Sequence, residues 1–216
     1  MIDALLKHDL PHAYGLQRSN VLLTHRQETG IIELGDQVAC KSCKMTFSDR
    51  NACNETVIKI DAADETITIV NHEDYIKQFN GKPFATGGTC DLLMFDGDNH
   101  KKVVFCDLGC YSEKYVVKKQ KDSHKQVSNS ISRFLKQPCG RSFIHQFSEK
   151  ILMFGRRDPN INPEKTPLPA RGDVIGSMRS FIVTPFSKSK YAISHEVVEG
   201  VDVSFIIVNF PEPYIW

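Results

Sequence analysis

The sequence contains no hydrophobic run near the roughly 20 residues that a membrane-spanning helix requires. It also has no excess of either charge. Lys and Arg number 27 against 26 Asp and Glu, for a net of +1. A general attraction to nucleic acid or to a membrane surface is therefore not what organises this chain. Walker A, the dinucleotide glycine fingerprint and G-x-S-x-G are all absent, so nucleotide hydrolysis, Rossmann oxidoreduction and hydrolase-elbow chemistry have no support. No internal repeat and no domain linker is visible. The opening Met1–Lys7 lacks the basic region, apolar core and small-residue cleavage site of a secretory signal, which makes the cytoplasm the expected compartment.

What is present describes an ordinary folded chain. At 216 residues, 41% apolar and 25% charged, it is expected to form one domain over 1–216. The seven cysteines are an odd number and fit a reducing compartment better than a disulfide framework. Cys40 and Cys43 form a C-x-x-C with Cys53 ten residues on, the start of a zinc ligand set. No second C-x-x-C completes it, and the pair His8 and His12 has no partner at convincing metal spacing, so a structural zinc is disfavoured. Cys106, Cys110 and Cys139 sit among apolar neighbours and read as small core residues.

Hydrophobic patterning predicts a mixed α/β (α+β) fold. A short helix is expected before Pro11, and short strands at Val21–Leu23 and Ile31–Leu34. The β-branched runs 56–60 and 66–70 read as a hairpin with an acidic turn. Asn71 caps a short helix with Glu73 and Asp74 in its first turn. Residues 90–95 and 103–108, joined through Asp96-Gly97, read as a second hairpin. Val127, Ile131, Phe134 and Leu135 make one apolar helix stripe. Ser123 and Gln126 match a capping box for it, or else the helix begins further back, near Ser112. Pro138 and Gly140 end it. Strands are expected at 151–154, 181–183 and 201–208, with a proline-rich surface loop between the first two.

The chemistry lies in the second hairpin. If Phe95 pairs with Val103, Asp91 stands opposite Asp107, and directly opposed residues share a face with Cβ atoms about 5 Å apart. Two carboxylates that close repel unless one is protonated or a cation lies between them. Flanked by apolar residues at strand ends, the pair suits Mg²⁺, which takes one or two carboxylates and completes its shell with water and phosphate oxygens. The metal could then activate water for phosphodiester attack. The structural alternative has Asp91 capping a strand start and Asp107 binding backbone amides of the following loop.

Asp91-Leu-Leu-Met-Phe, a polar turn, Val-Val-Phe-Cys-Asp107-Leu-Gly109 and a basic helix with Gln126-Val-Ser-Asn-Ser-Ile131 resemble the core of the PD-(D/E)xK nuclease-like superfamily. The resemblance covers about 70–157. It implies a restriction-endonuclease-like core, a central mixed sheet flanked by helices, with β-rich extensions at both ends. In that family an Asp begins the second core strand, and an acid-x-Lys ends the third. The resemblance implies Mg or Mn at Asp91 and Asp107, with Glu73 as a further metal contact. Gly109 stands where the family has its lysine, and Lys114 is the expected displaced catalytic lysine. Two functions follow from it. One is a Mg-dependent DNA nuclease of a prokaryotic restriction or phage-defence system; the other is a non-catalytic pseudonuclease acting as an assembly or nucleic-acid-binding subunit.

Charge is unevenly distributed along the chain. Between Tyr111 and Arg141 eight basic residues face two acidic ones. Lys118, Lys119, Lys121 and Lys125 on that helix, with Arg156 and Arg157 after the next strand, are the candidate nucleic-acid contacts. A solvated helix face and surface ion pairs are the alternatives. The end, Phe210–Trp216, either docks a protein partner or second copy, or packs back on its own domain.

Overall fold

In this computed structural model the described residues are 2–16, 20–35, 56–79, 84, 86–111, 115–158 and 192–216. Cys40, Cys43, Cys53, Lys114, the strand expected at 181–183 and most of the proline-rich loop lie outside them.

The chain begins with α1 (Ile2–Ala4), which runs through a π-helical turn (Leu5–Asp9) into α2 (Leu10–Ala13). Strands β1 (His25–Glu28), β2 (Ile31–Leu34), β3 (Ile58–Asp61) and β4 (Ile67–Asn71) follow, then helix α3 (His72–Lys77). Next come β5 (Leu92–Asp96), β6 (Lys102–Cys110), the long α4 (Val116–Leu135), α5 (Pro138–His145) and β7 (Glu149–Arg157). The hairpin β8 (Ala192–Val198) and β9 (Val201–Asn209) and the short β10 (Pro213–Ile215) complete the fold.

Seven strands form one mixed sheet in the order β1-β4-β5-β6-β7-β9-β8, and β10-β3-β2 form a second, smaller one. In the large sheet β6, β7 and β9 are mutually parallel, and the remaining neighbours pair antiparallel. Strands buried on both faces read as continuous apolar runs. Leu92–Phe95, Val103–Phe105, Ile151–Phe154 and Phe205–Val208 are such runs, and every one of these residues is buried.

The two faces have different covers. The helices pack on one, where Leu6, Tyr75, Ile131, Phe134 and Phe143 meet Leu93, Phe105, Leu152 and Phe205. Among the described residues the other face is covered by the small sheet, where Ile32, Ile58, Ile60 and Tyr214 meet Met94, Val104, Met153 and Ile206. Among the described residues, then, helices flank one side of the large sheet.

Several local expectations hold. Asn71 caps α3, its Oδ1 accepting the Asp74 N–H at 3.0 Å. Asp96 closes the second hairpin by accepting the N–H groups of Lys101 and Lys102 at 2.9 and 2.8 Å. Others fail for identifiable reasons. The runs 56–60 and 66–70 do not pair, because β3 joins the small sheet and β4 the large one. Strand β1 lies at His25–Glu28 rather than Val21–Leu23. Ser123 and Gln126 lie inside α4, which starts at Val116, so they form no capping box. Pro138 does not simply end α4; it occupies the first turn of α5, where its missing N–H costs nothing. The end of the chain packs back, Tyr214 and Trp216 lying 5.5 and 5.9 Å from the Lys102 ammonium.

One buried group makes the fold sensitive to acid. His72 is fully buried among Tyr75, Phe105 and Phe134. Its Nδ1 lies 3.3 Å from the Cys90 carbonyl and 3.1 Å from Thr89 Oγ1. Burial, with the Arg133 charge adding, pulls its pKa from 6.5 down to about 3. Between those values the unfolded chain binds a proton that the native chain refuses, so stability falls as pH drops below 6.5. The slope from this group is up to ~1.4 kcal/mol per pH unit. Urea denaturation from neutral to mildly acid pH is expected to show it in the wild type. In His72→Phe that part of the slope should disappear; an unchanged slope would exonerate the imidazole.

Candidate functional site

The β5–β6 ladder pairs Phe95 with Val103 and Leu92 with Cys106. That is the expected register, and one step further it sets Asp91 opposite Asp107. Side chains alternate along a strand. Val103 and Phe105 enter the helix-side core and Val104, Cys106 and Leu108 the other, so Asp107 and Gly109 face α4. Asp91 lies one residue before β5, at a bend. Its Oδ2 accepts the Leu108 N–H at 2.6 Å. Its carbonyl accepts the N–H groups of His72 and Glu73 at 2.9 and 3.1 Å, joining the start of α3 to the start of β5.

Helix α4 supplies the opposing wall. With its amide turned to donate, Gln126 reaches both oxygens of Asp107, at 2.7 and 3.1 Å. One turn on, Ser130 Oγ accepts the Cys90 N–H at 2.9 Å, and Asn129 donates to the Gly87 carbonyl. A further turn along, the buried Arg133 donates to the carbonyls of Thr86, at 2.7 Å, and Gly88. Gly87 and Gly88 adopt φ of 88° and 84°, a left-handed backbone that L side chains rarely take. The segment leading into Asp91 is thereby fixed to one face of α4.

The charge of the pair reaches the sulfurs behind it. Burial raises the Cys106 thiol well above its ordinary value, and Asp91, Cys90 and Asp107 raise it further. Burial likewise raises Cys90, with Ser130 opposing and both carboxylates adding. Both thiols stay protonated and are not nucleophiles.

The space above Gly109 is filled. A β-carbon added at Gly109 would lie 2.1 Å from Cε2 of the Tyr111 ring, closer than van der Waals contact permits. The ring therefore lies over Gly109 on the face that carries Asp107. The Tyr111 N–H donates to the Arg157 carbonyl at 2.9 Å, and its own carbonyl accepts Arg156 Nε at 3.3 Å. Lys119 of α4 places its ammonium 4.6 Å from the centre of the same ring.

Other expected site residues are distributed differently. Arg156 pairs in register with Gly109 and also bridges to Asp158 at 3.3 Å. Arg157 points to the opposite face, donating to the Thr56 carbonyl at 3.0 Å and lying 5.0 Å from the Phe210 ring centre. Strand alternation separates the two arginines, so Arg157 is not part of this site. Lys118, Lys121 and Lys125 are exposed on the outward side of α4, while Lys119 is half-buried. Glu73 is bound to Lys77 at 2.7 Å. Among the described residues no group of three or more His, Cys, Asp or Glu is gathered to hold a metal, so Asp91, Asp107 and Glu73 do not form a three-acid set. Lys114 lies outside the described residues. Tyr111 and Arg133 were not anticipated: an aromatic after a strand and an arginine inside a helix carry no pattern of their own.

No family model matches the chain, and no curated protein or solved structure matches it either.

The contact of Gly109 with Tyr111 has a measurable consequence. Gly109→Ala is expected to cost about 1–3 kcal/mol through overpacking. Adding Tyr111→Ala should return part of that loss, so that the two changes couple by at least ~0.5 kcal/mol in a double-mutant cycle. Urea denaturation of the two single variants and the double variant reads it. Additive effects would mean that the ring does not occupy this space.

Proposed function

We propose that the chain is a nuclease-fold protein that binds Mg²⁺ or Mn²⁺ through Asp91 and Asp107 and acts on a phosphodiester. The observation that carries this reading is the β5–β6 register, which pairs Leu92 with Cys106 and, carried one residue on, sets Asp91 opposite Asp107 beside the carboxyl end of a parallel strand. Its support from topology is the order helix α3, hairpin β5–β6, helix α4 and, after α5, strand β7, with Asp91 just before β5 and Asp107 near the end of β6, which agrees with the order that the PD-(D/E)xK resemblance implies. The donor set fits a hard divalent ion, which needs one or two carboxylates and fills its remaining positions with water and phosphate oxygens. Each carboxylate offers about four lone-pair positions.

When bound, the metal supplies a Lewis acid and a water of lowered pKa. The residues of this chain hold and orient. Leu108 N–H fixes Asp91, Gln126 fixes Asp107, and the outward lysines Lys118, Lys121 and Lys125 offer phosphate contacts along α4. A prokaryotic restriction or phage-defence role accompanies this reading through the resemblance alone.

The ring over Gly109 favours a second reading, a pseudonuclease that keeps the fold as an assembly or nucleic-acid-binding subunit. A lysine there would stabilise charge developing on the phosphate, and losing such a group typically costs orders of magnitude in rate.

Calorimetric titration of Mg²⁺ and Mn²⁺ into the wild type and into Asp91→Asn/Asp107→Asn separates the outcomes, together with incubation of DNA and RNA under the same conditions. Saturable binding lost in the double variant, with cleavage lost alongside it, is the expected result. Binding without cleavage supports the pseudonuclease. No binding in the wild type overturns the metal site, as does cleavage that survives the double variant.

A further inference from the structure

We propose that Lys119, seated on the Tyr111 ring, is the phosphate-holding cation of this site, standing in for a side chain that position 109 cannot carry. The role assigned to it beside Asp91 and Asp107 rests on the nuclease-fold reading; the anion binding itself does not.

Helix geometry singles out Lys119. At 3.6 residues per turn, positions 119 and 126 fall within about 20° of one another around the axis. Gln126 is the residue of α4 that touches Asp107. Lys119 is therefore the lysine whose stem rises on the side of the carboxylate pair, two turns or about 10 Å along the helix. Lys118, Lys121 and Lys125 lie roughly 80–140° round from Gln126, on the solvent side. Burial follows the same division, with Lys119 half-covered and the other three exposed.

The seat of the ammonium is built from the strand. Tyr111 is held on both sides by the backbone and side chain at the end of β7, through the Arg157 carbonyl and Arg156 Nε. Its ring lies over Gly109, and the Lys119 ammonium lies over the ring at 4.6 Å, within the range where an aromatic face attracts a cation. Lys119 makes no ion pair among the described residues, so its charge is not neutralised by a carboxylate there. Arg156, in register with Gly109, brings a second cation, a guanidinium that bridges to Asp158, to the same end of the sheet. Tyr111 is thus a positioning residue for a cation delivered from the helix, and glycine at 109 is what admits the ring.

Inorganic phosphate is the probe, titrated into ¹⁵N-labelled protein without metal, with the Tyr111 backbone amide and the Gln126 side-chain amide followed by NMR. The wild type and Lys119→Arg should show saturable shifts of similar midpoint. Lys119→Gln should bind about tenfold more weakly, Tyr111→Leu several-fold more weakly, and Lys136→Gln, just past the far end of α4 where it bridges to Glu199, within twofold of the wild type. The inference is overturned if the wild type shows no saturable shift, if Lys119→Gln binds as the wild type does, or if Lys136→Gln loses as much as Lys119→Gln. In the last case the helix acts only through its total charge. The metal titration above is independent. Phosphate binding without metal binding sinks the nuclease reading and leaves Lys119 as the cation of an anion site. Metal binding with a failed phosphate series does the reverse.

Discussion

The attachment of residues 86–90 to helix α4 is the constraint on which the site depends. Gln126, Asn129, Ser130 and Arg133 recur along one side of that helix, and each of the last three takes a backbone group of the segment. A buried guanidinium is expensive to desolvate and is retained only where its donors are used. Here Arg133 spends two of them on the carbonyls of Thr86 and Gly88. The segment thereby enters β5 at a fixed point, and the start of β5 decides whether Asp91 meets Asp107. A one-residue slip would send every side chain of β5 to the wrong face.

The same helix serves three different partners. Its inner stripe, Val127, Ile131 and Phe134, fills the core. One flank grips the 86–90 segment and Asp107. The other meets the β8–β9 hairpin, where His124 pairs with Glu196 at 2.9 Å and packs edge-on against Phe205. Mobility of α4 would disturb all three at once. A long helix is well suited to this work, because its residues are set by one rigid geometry rather than by separate loops.

Much of this was legible from the residues. The apolar runs of β5, β6, β7 and β9 marked strands, and the assumed pairing of Phe95 with Val103 is the one the β5–β6 hairpin has. The apolar stripe of α4 predicted its inner face, although the polar flank that positions the site has no comparable periodic signal. The misplaced hairpin at 56–70 shows where local pattern runs out. Two adjacent β-branched runs look like partners, yet which sheet each joins is a tertiary matter. Arg156 and Arg157 teach the same lesson at shorter range: adjacent in sequence, they lie on opposite faces of the sheet. The filling of the space above Gly109 could not be read at all, since it depends on how Tyr111 turns after the strand ends.

The small sheet carries a consequence for synthesis. Strand β10 pairs in parallel with β3, about 150 residues earlier in the chain, and the Trp216 N–H donates to the Asp61 carbonyl at 2.9 Å. While the chain is being made, β2 is the one described strand that β3 can pair with in the small sheet, and among the described strands the other edge of β3 stays open until residues 213–215 have left the ribosome. The large sheet meanwhile holds Met94, Val104 and Met153 beneath an unfinished cover. Emerging chains fold from the N-terminal side, and exposed apolar surface with an unpaired strand edge is what chaperones recognise and aggregates exploit. Strand β10 is thus the piece that closes this edge of the small sheet against its neighbours.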